Sequence, residues 1–174
     1  MSYLEHKKKT PAKIRFARLI VSDSRYKQHE EHKEVDDEST LTAKRIFGEN
    51  GFEISTREIA PDESATILGT VLAIVEKDDC DAILTIGGTG LSKRDVTIES
   101  VRKILEKEVV GFGEIFRNLS YLKIGTPAIL SRALAGIIRD KIIFCLPGSP
   151  QSVELGLRDL IVPEIGHMLK HIRE

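Results

Sequence analysis

Short, nearly unbroken apolar runs alternate along this chain with stretches in which apolar residues recur every three or four positions. The first kind suits strands covered on both faces of a sheet, and the second suits amphipathic helices. Ile14 to Val21 predicts a first strand, closed by the polar turn Ser22-Asp23-Ser24-Arg25. The charged stretch from Gln28 to Glu38 predicts a loop or the lead into a helix. Ser39 is placed as that helix's N-cap, with Ala43, Ile46 and Phe47 on one face and Asn50-Gly51 as its stop. Phe52 to Ile59 alternates as a second strand. Pro61-Asp62 opens a helix whose stripe is Ile67, Leu68, Val71, Leu72 and Val75. Asp81 to Ile86 is a third strand, short and almost wholly apolar.

Further along, Thr97 is placed as the cap of a helix burying Ile98, Val101, Ile104 and Leu105. Gly111-Phe112-Gly113-Glu114 leads into a short helix carrying Ile115, Phe116 and Leu119. Ile129 to Ile138 and Lys141 to Leu146 predict two strands, turned at Arg139-Asp140. After Pro147-Gly148, Ser149 and Pro150 read as N-cap and first position of the last helical region. The alternation predicts a three-layer α/β domain with a largely parallel central sheet over residues 13–174, behind a loose basic tail at 1–12.

Composition narrows the classes. The 174 residues are 41% hydrophobic and 30% charged, enough for a real core under a polar surface. A formal net charge of -1 gives no global field toward nucleic acid or acidic membranes, and 5% aromatic residues without Trp offer little for base stacking. No stretch has the ~18 consecutive apolar residues of a membrane span. No apolar segment follows Lys7-Lys8-Lys9 as a signal peptide requires. Cys80 and Cys145 read as free buried thiols, so a cytoplasmic protein with neither nucleic-acid nor membrane partners is expected.

In open parallel sheets, ligands bind at the carboxyl ends of the strands. Four features are expected there: Ser22 to Arg25, Asp62, Gly87 to Asp95, and Pro147 to Ser149. Gly87-Gly88-Thr89-Gly90 is either an ordinary tight turn or a backbone cradle for phosphate. Asp95 beside such a loop repels phosphate unless a cation intervenes, which points to Mg²⁺, although it could instead cap the next helix or pair with Arg94. Asp62 carries the same two readings. Ser131-Arg132 offers a cation or a structural partner. His167 and His171 are four apart on the last helix, with no zinc-protease Glu between them and no third ligand in view, and read as a solvated helix end.

Taken together, the motifs resemble the MoaB/MogA family of molybdenum cofactor biosynthesis proteins, MoaB most of all. The matching pieces are Val21-Ser22-Asp23-Ser24-Arg25, Pro61-Asp62-Glu63, Gly87-Gly88-Thr89-Gly90, Arg94-Asp95-Val96-Thr97, Gly111-Phe112-Gly113-Glu114, Ser131-Arg132-Ala133 and Leu146-Pro147-Gly148-Ser149-Pro150. Each piece is weak, but seven in the family's order are not. The resemblance implies a Rossmann-like fold, a homo-oligomer (trimer or hexamer), molybdopterin as ligand and the pathway's molybdate-insertion protein as a partner. It further implies Mg²⁺-dependent adenylylation of molybdopterin by ATP, with a non-catalytic molybdopterin carrier as the alternative and a stand-alone pyrophosphatase as a third reading. On this resemblance Asp62 and Asp95 are the catalytic and metal-holding residues. Ser22, Asp23, Gly87, Gly88, Thr89, Gly90, Arg94, Ser131, Arg132, Gly148 and Ser149 contact the substrates. The chain departs from the family at Asp37-Glu38-Ser39-Thr40, where Asp-x-Ser-Gly is frequent, and at Ile98 and Val110, where proline is usual.

Overall fold

The computed structural model describes residues 13–32 and 37–174. The tail expected at 1–12 and residues 33–36 of the charged stretch lie outside the described residues. The strands are β1 (Arg15–Val21), β2 (Glu53–Ala60), β3 (Ala82–Ile86), β4 (Lys107–Glu108), β5 (Leu134–Ile138) and β6 (Lys141–Leu146). The helices are α1 (Asp23–Glu30), α2 (Glu38–Glu49), α3 (Ser64–Lys77), α4 (Thr97–Arg102), α5 (Val110–Ile124), α6 (Pro150–Leu155) and α7 (Val162–Ile172). A π turn, Gly156–Ile161, joins α6 to α7, and a 3-10 turn, Thr126–Leu130, follows α5.

All six strands form one sheet in the order β2-β1-β3-β6-β5-β4. β2, β1, β3 and β6 run parallel, whereas β5 and β4 are antiparallel additions at one edge. Period-two alternation sorts the side chains into two cores. Phe16, Ala82, Leu84, Ile86, Ile142, Phe144 and Leu146 face α2, α5, α6 and α7. Ala17, Leu19, Val21, Ile83, Ile143 and Cys145 face α3 and α4. In the first core Phe16 stacks on Phe47 with centroids 4.4 Å apart. Each fully buried side chain of this size contributes roughly 1.5–3 kcal/mol of transfer free energy. Among the described residues no helix is long and apolar enough to cross a membrane.

Several local expectations are corrected. Ser22 to Arg25 is the start of helix α1, not a simple turn: the Ser22 hydroxyl accepts the Arg25 N–H as N-cap. The N-cap of α2 is Asp37, whose Oδ1 accepts the Thr40 N–H at 2.8 Å, while Ser39 is buried and donates to the Gly148 carbonyl. Helix α3 is entered from Glu63, and Ile74, not Leu72, completes its buried stripe. The hydroxyl of Thr97 donates to the Gly87 carbonyl at 3.0 Å and does not cap α4. Helix α5 is long rather than short, and Gly113 lets its first turn approach the Ala133 carbonyl; a Cβ there would lie 2.8 Å from that oxygen. The run beginning at Ile129 opens in the end of a 3-10 turn that leaves Ile129 and Leu130 exposed, and strand β5 starts only at Leu134.

Candidate active site

The carboxyl ends of the central strands β1, β3 and β6 open into one cleft of about 640 Å³. Its floor is the glycine loop after β3. The Gly87 N–H is committed to the Leu146 carbonyl at 3.0 Å, which stitches the β3 loop to the end of β6. Gly87 and Gly88 both have positive φ, 104° and 62°, a conformation that glycine adopts without a Cβ penalty. Glycine is also required for space. A Cβ on Gly87 would strike the Val21 carbonyl, and one on Gly88 would meet the Thr97 hydroxyl and lie 2.8 Å from Asp62 Oδ1. Since Gly87 has spent its donor on the sheet, the amides of Gly88, Thr89 and Gly90 are the ones not engaged by another carbonyl of the described residues.

Two carboxylates flank that floor. Asp62 Oδ1 lies against Gly88, and Asp95 Oδ2 lies against Gly90, where a Cβ would be 2.7 Å away. Asp95 neither caps α4 nor pairs with Arg94; its Oδ2 accepts the Ser92 N–H at 2.9 Å in a tight turn. Asp62 does not cap α3, the helix that follows it; its Oδ2 instead accepts the N–H of Asp23, the first residue of α1, at 2.9 Å. Burial pushes the Asp62 carboxyl above the ordinary carboxylate range. The Asp23 N–H opposes this in part, and the charges of Asp23 and Asp95 raise it further. Asp23 is driven the opposite way, chiefly by hydrogen bonds from Arg94.

Of the residues expected at the site, Ser22, Asp62, Gly87, Gly88, Thr89, Gly90, Asp95, Ser131, Arg132, Gly148 and Ser149 line the cleft. Asp23 and Arg94 do not; they sit at its rim, locked together by Arg94 Nε and NH2 on the Asp23 carboxylate at 2.6–3.0 Å. Arg132 lines the wall yet is also engaged. Its Nε donates to the Thr89 carbonyl at 2.8 Å, and its two NH groups grip Glu99. It therefore bolts the glycine loop to helix α4.

Arg25, from the loop expected here, joins a second wall whose other members, Asp37, Thr40 and Ser152, sequence reasoning missed. Arg25 and Asp37 form an ion pair at 2.9 Å. Asp37 three residues before Thr40 is an N-cap signal that could have located α2 and its first turn here. Ile124 and Leu130 add an apolar corner. Burial pushes the Cys80 thiol up to about 11 and that of Cys145 up to about 12, so neither is poised as a thiolate nucleophile. The cleft thus combines backbone donors not engaged by carbonyls of the described residues, two flanking carboxylates and cations already paired.

Comparison with known proteins agrees with this geometry. Residues 17–167 match the family described as "Probable molybdopterin binding domain". Molybdenum cofactor biosynthesis protein B of Bacillus cereus is 44% identical over 97% of this chain and 96% of its own length. A protein of Methanocaldococcus jannaschii named "Probable molybdopterin adenylyltransferase" is 46% identical over 92% of this chain and 95% of its own. A crystal structure of a molybdenum cofactor biosynthesis protein B superposes with a TM-score of 0.86 at 42% identity, covering 95% of this chain and 99% of that one. With its motifs in order, its glycine loop and carboxylates on one cleft, and relatives matched along nearly their whole length, this chain belongs to the MoaB/MogA family of molybdenum cofactor biosynthesis proteins.

Proposed function

We propose that this protein adenylylates molybdopterin. The observation that carries the reading is the placement of Asp62 and Asp95 on either side of a glycine loop with three unengaged amides. The name of the Methanocaldococcus jannaschii relative supports it. A phosphate oxygen of molybdopterin attacks the α-phosphorus of ATP. The new P–O bond forms as the bond to the β-phosphate bridging oxygen breaks, and pyrophosphate leaves with that electron pair. The substrate is its own nucleophile, so the protein's task is alignment and charge stabilisation.

The residues present fit Mg²⁺. Both flanking groups are hard carboxylate oxygens, and burial together with their mutual repulsion makes the uncompensated anionic form of Asp62 unfavourable. Asp62 and Asp95 would hold the ion, which when bound neutralises phosphate charge. The amides of Gly88, Thr89 and Gly90 receive phosphate oxygens. Arg132 keeps that loop in place through the Thr89 carbonyl. Gly148 and Ser149, with Ser22 and Ser131, bound the organic part of the substrates.

The same reading includes assembly into a homo-oligomer, a trimer or hexamer. Tyr121, Leu122, Ile124, Ile129 and Leu130 form an exposed apolar set at the end of α5, which a monomer would leave in water. The two free, buried thiols suit a cytoplasmic setting.

Purified protein incubated with molybdopterin, ATP and Mg²⁺ is expected to release pyrophosphate and adenylylated pterin. Asp62→Asn and Asp95→Asn are each expected to lower that rate by about 10²-fold or more. Full activity in both variants would overturn the residue assignment. Tight molybdopterin binding without product would leave a carrier in place of the enzyme.

A further inference from the structure

Ser39 carries a hydroxyl that its own helix does not use. Asp37 already caps α2, and the buried Ser39 instead donates to the Gly148 carbonyl, 109 residues away in the chain. A helical serine can return that bond to its own backbone, as Ser120 does to the Phe116 carbonyl at 2.8 Å.

The acceptor gives this contact its meaning. Gly148 and Ser149 line the cleft, and Gly148 packs on the glycine loop, where its Cβ would lie 3.5 Å from the Gly87 Cα. The peptide between Gly148 and Ser149 is trans and planar, so its carbonyl and its N–H point in opposite directions. Holding the carbonyl toward Ser39 therefore turns the Ser149 N–H away from α2. That N–H meets no carbonyl of the described residues. The Ser149 hydroxyl, by contrast, is occupied: it accepts the Ser152 N–H at 3.2 Å and lies 2.8 Å from the Ser152 hydroxyl. Glycine lets a peptide turn over at little steric cost, and turning this one would put a carbonyl oxygen where the N–H now stands.

The backing of the contact is braced. Arg45 and Glu49 on α2, Glu154 on α6 and Arg158 in the π turn close a ring of four ion pairs at 2.7–3.4 Å. Pairs as exposed as these add little stability, but they hold α2 and α6 in register beside the Ser39 bond.

We propose that Ser39 is a positioning residue for the substrates of the cleft. Its hydroxyl fixes which way the Gly148–Ser149 peptide faces, so that a bound substrate meets a backbone donor there. The proposal rests on the adenylylation reading for the identity of those substrates. The matching chemistry is an acceptor atom, which ATP and molybdopterin both carry.

The test compares wild type, Ser39→Ala and Ser120→Ala in three measurements: calorimetric titration with ATP and Mg²⁺, calorimetric titration with molybdopterin, and steady-state turnover. Ser39→Ala is expected to bind at least one substrate about tenfold more weakly, which also tells which of the two uses the donor. Its KM for that substrate should rise by a similar factor, with kcat within about twofold of wild type. Ser120→Ala also removes a buried serine-to-carbonyl bond, and should lower the melting temperature while leaving binding and KM unchanged. Circular dichroism checks folding. Should Ser39→Ala not fold, Ser39→Cys, of similar size but a weaker donor, takes its place with the same expected direction. Unchanged affinity for both substrates in the folded Ser39 variant, or equal weakening in Ser120→Ala, would overturn the proposal. Wild type that binds substrate without turnover would sink the adenylylation reading and leave Ser39 to be decided by the titrations. Wild type that binds neither substrate would remove both.

Discussion

Asp23 and Asp62 exchange backbone donors: the Asp23 N–H meets Asp62 Oδ2, and the Asp62 N–H meets Asp23 Oδ1, both at 2.9 Å. This reciprocal clamp fixes the start of α1 against the turn after β2. It also holds two carboxylates close together, which is tolerable because Arg94 covers Asp23. The repulsion and desolvation that remain fall on Asp62, the carboxylate facing the cleft.

Removing the clamp should therefore disturb chemistry more than folding. Asp23→Ala deletes the acceptor of both the Asp62 N–H and the Arg94 guanidinium, on a side chain that is 46% exposed. Turnover of molybdopterin and ATP is expected to fall about tenfold, since small misplacements of aligning groups are costly. The melting temperature should move little, as exposed ion pairs contribute little stability. Steady-state kinetics beside a thermal melt would decide, and unchanged kcat/KM would show that the clamp is irrelevant to the cleft.

Two glycines offer a matched contrast in stability. Gly88→Ala forces a side chain into φ 62° and against Thr97 and Asp62, and is expected to cost about 1–3 kcal/mol. Gly69 lies within helix α3, and a Cβ there would meet nothing within 4 Å. Gly69→Ala should stabilise by about 0.5–1 kcal/mol. Urea unfolding of both variants provides the check, and equal midpoints would contradict this account of the loop.

Acid sensitivity should concentrate at Asp81. Burial pushes this carboxyl up, but hydrogen bonds from Arg173 and from the backbone and side chain of Arg15 outweigh that, and it ends below the ordinary carboxylate range. A depressed carboxylate contributes stability above its unfolded value, about 3.9, and loses it as pH falls through the lower folded value. Asp81→Asn should be less stable than wild type at pH 6, and the difference should shrink below about pH 4. Denaturation midpoints from pH 6 to 3 would test this, with a constant gap counting against it.

The parts of the fold that rest on burial were legible in the sequence. β1, β3 and β6 are dense apolar runs because both their faces are covered, and the glycine loop followed directly from the end of β3. Helix α1 was not legible, since none of its residues is buried and no stripe could announce it; only Ser22 marked its start. The strand expected from Ile129 was over-read for the converse reason. Ile129 and Leu130 are apolar yet exposed, 83% and 57%, so hydrophobicity there does not signify the core. Strand β4, Lys107–Glu108, is two charged residues held by pairing with β5 and by the grip of Arg102 on Glu108, neither of which a hydrophobic pattern announces. At the cleft, the catalytic candidates are visible as motifs, whereas Asp37 and Thr40 enter only because α2 starts beside the strand ends.

The π turn at Gly156–Ile161 explains an oddity of spacing in the last helical region. Val153, Leu157, Ile161, Ile165 and Leu169 are all buried, and they recur every four residues. In an unbroken α-helix of 3.6 residues per turn that interval drifts by about 40° at each step, so the stripe would wander off the sheet. A wider turn midway takes up the surplus. The interruption thus behaves as a phase corrector: the same six residues wound as regular α-helix would rotate everything downstream by about 100° and bring Ile165 and Leu169 out into solvent.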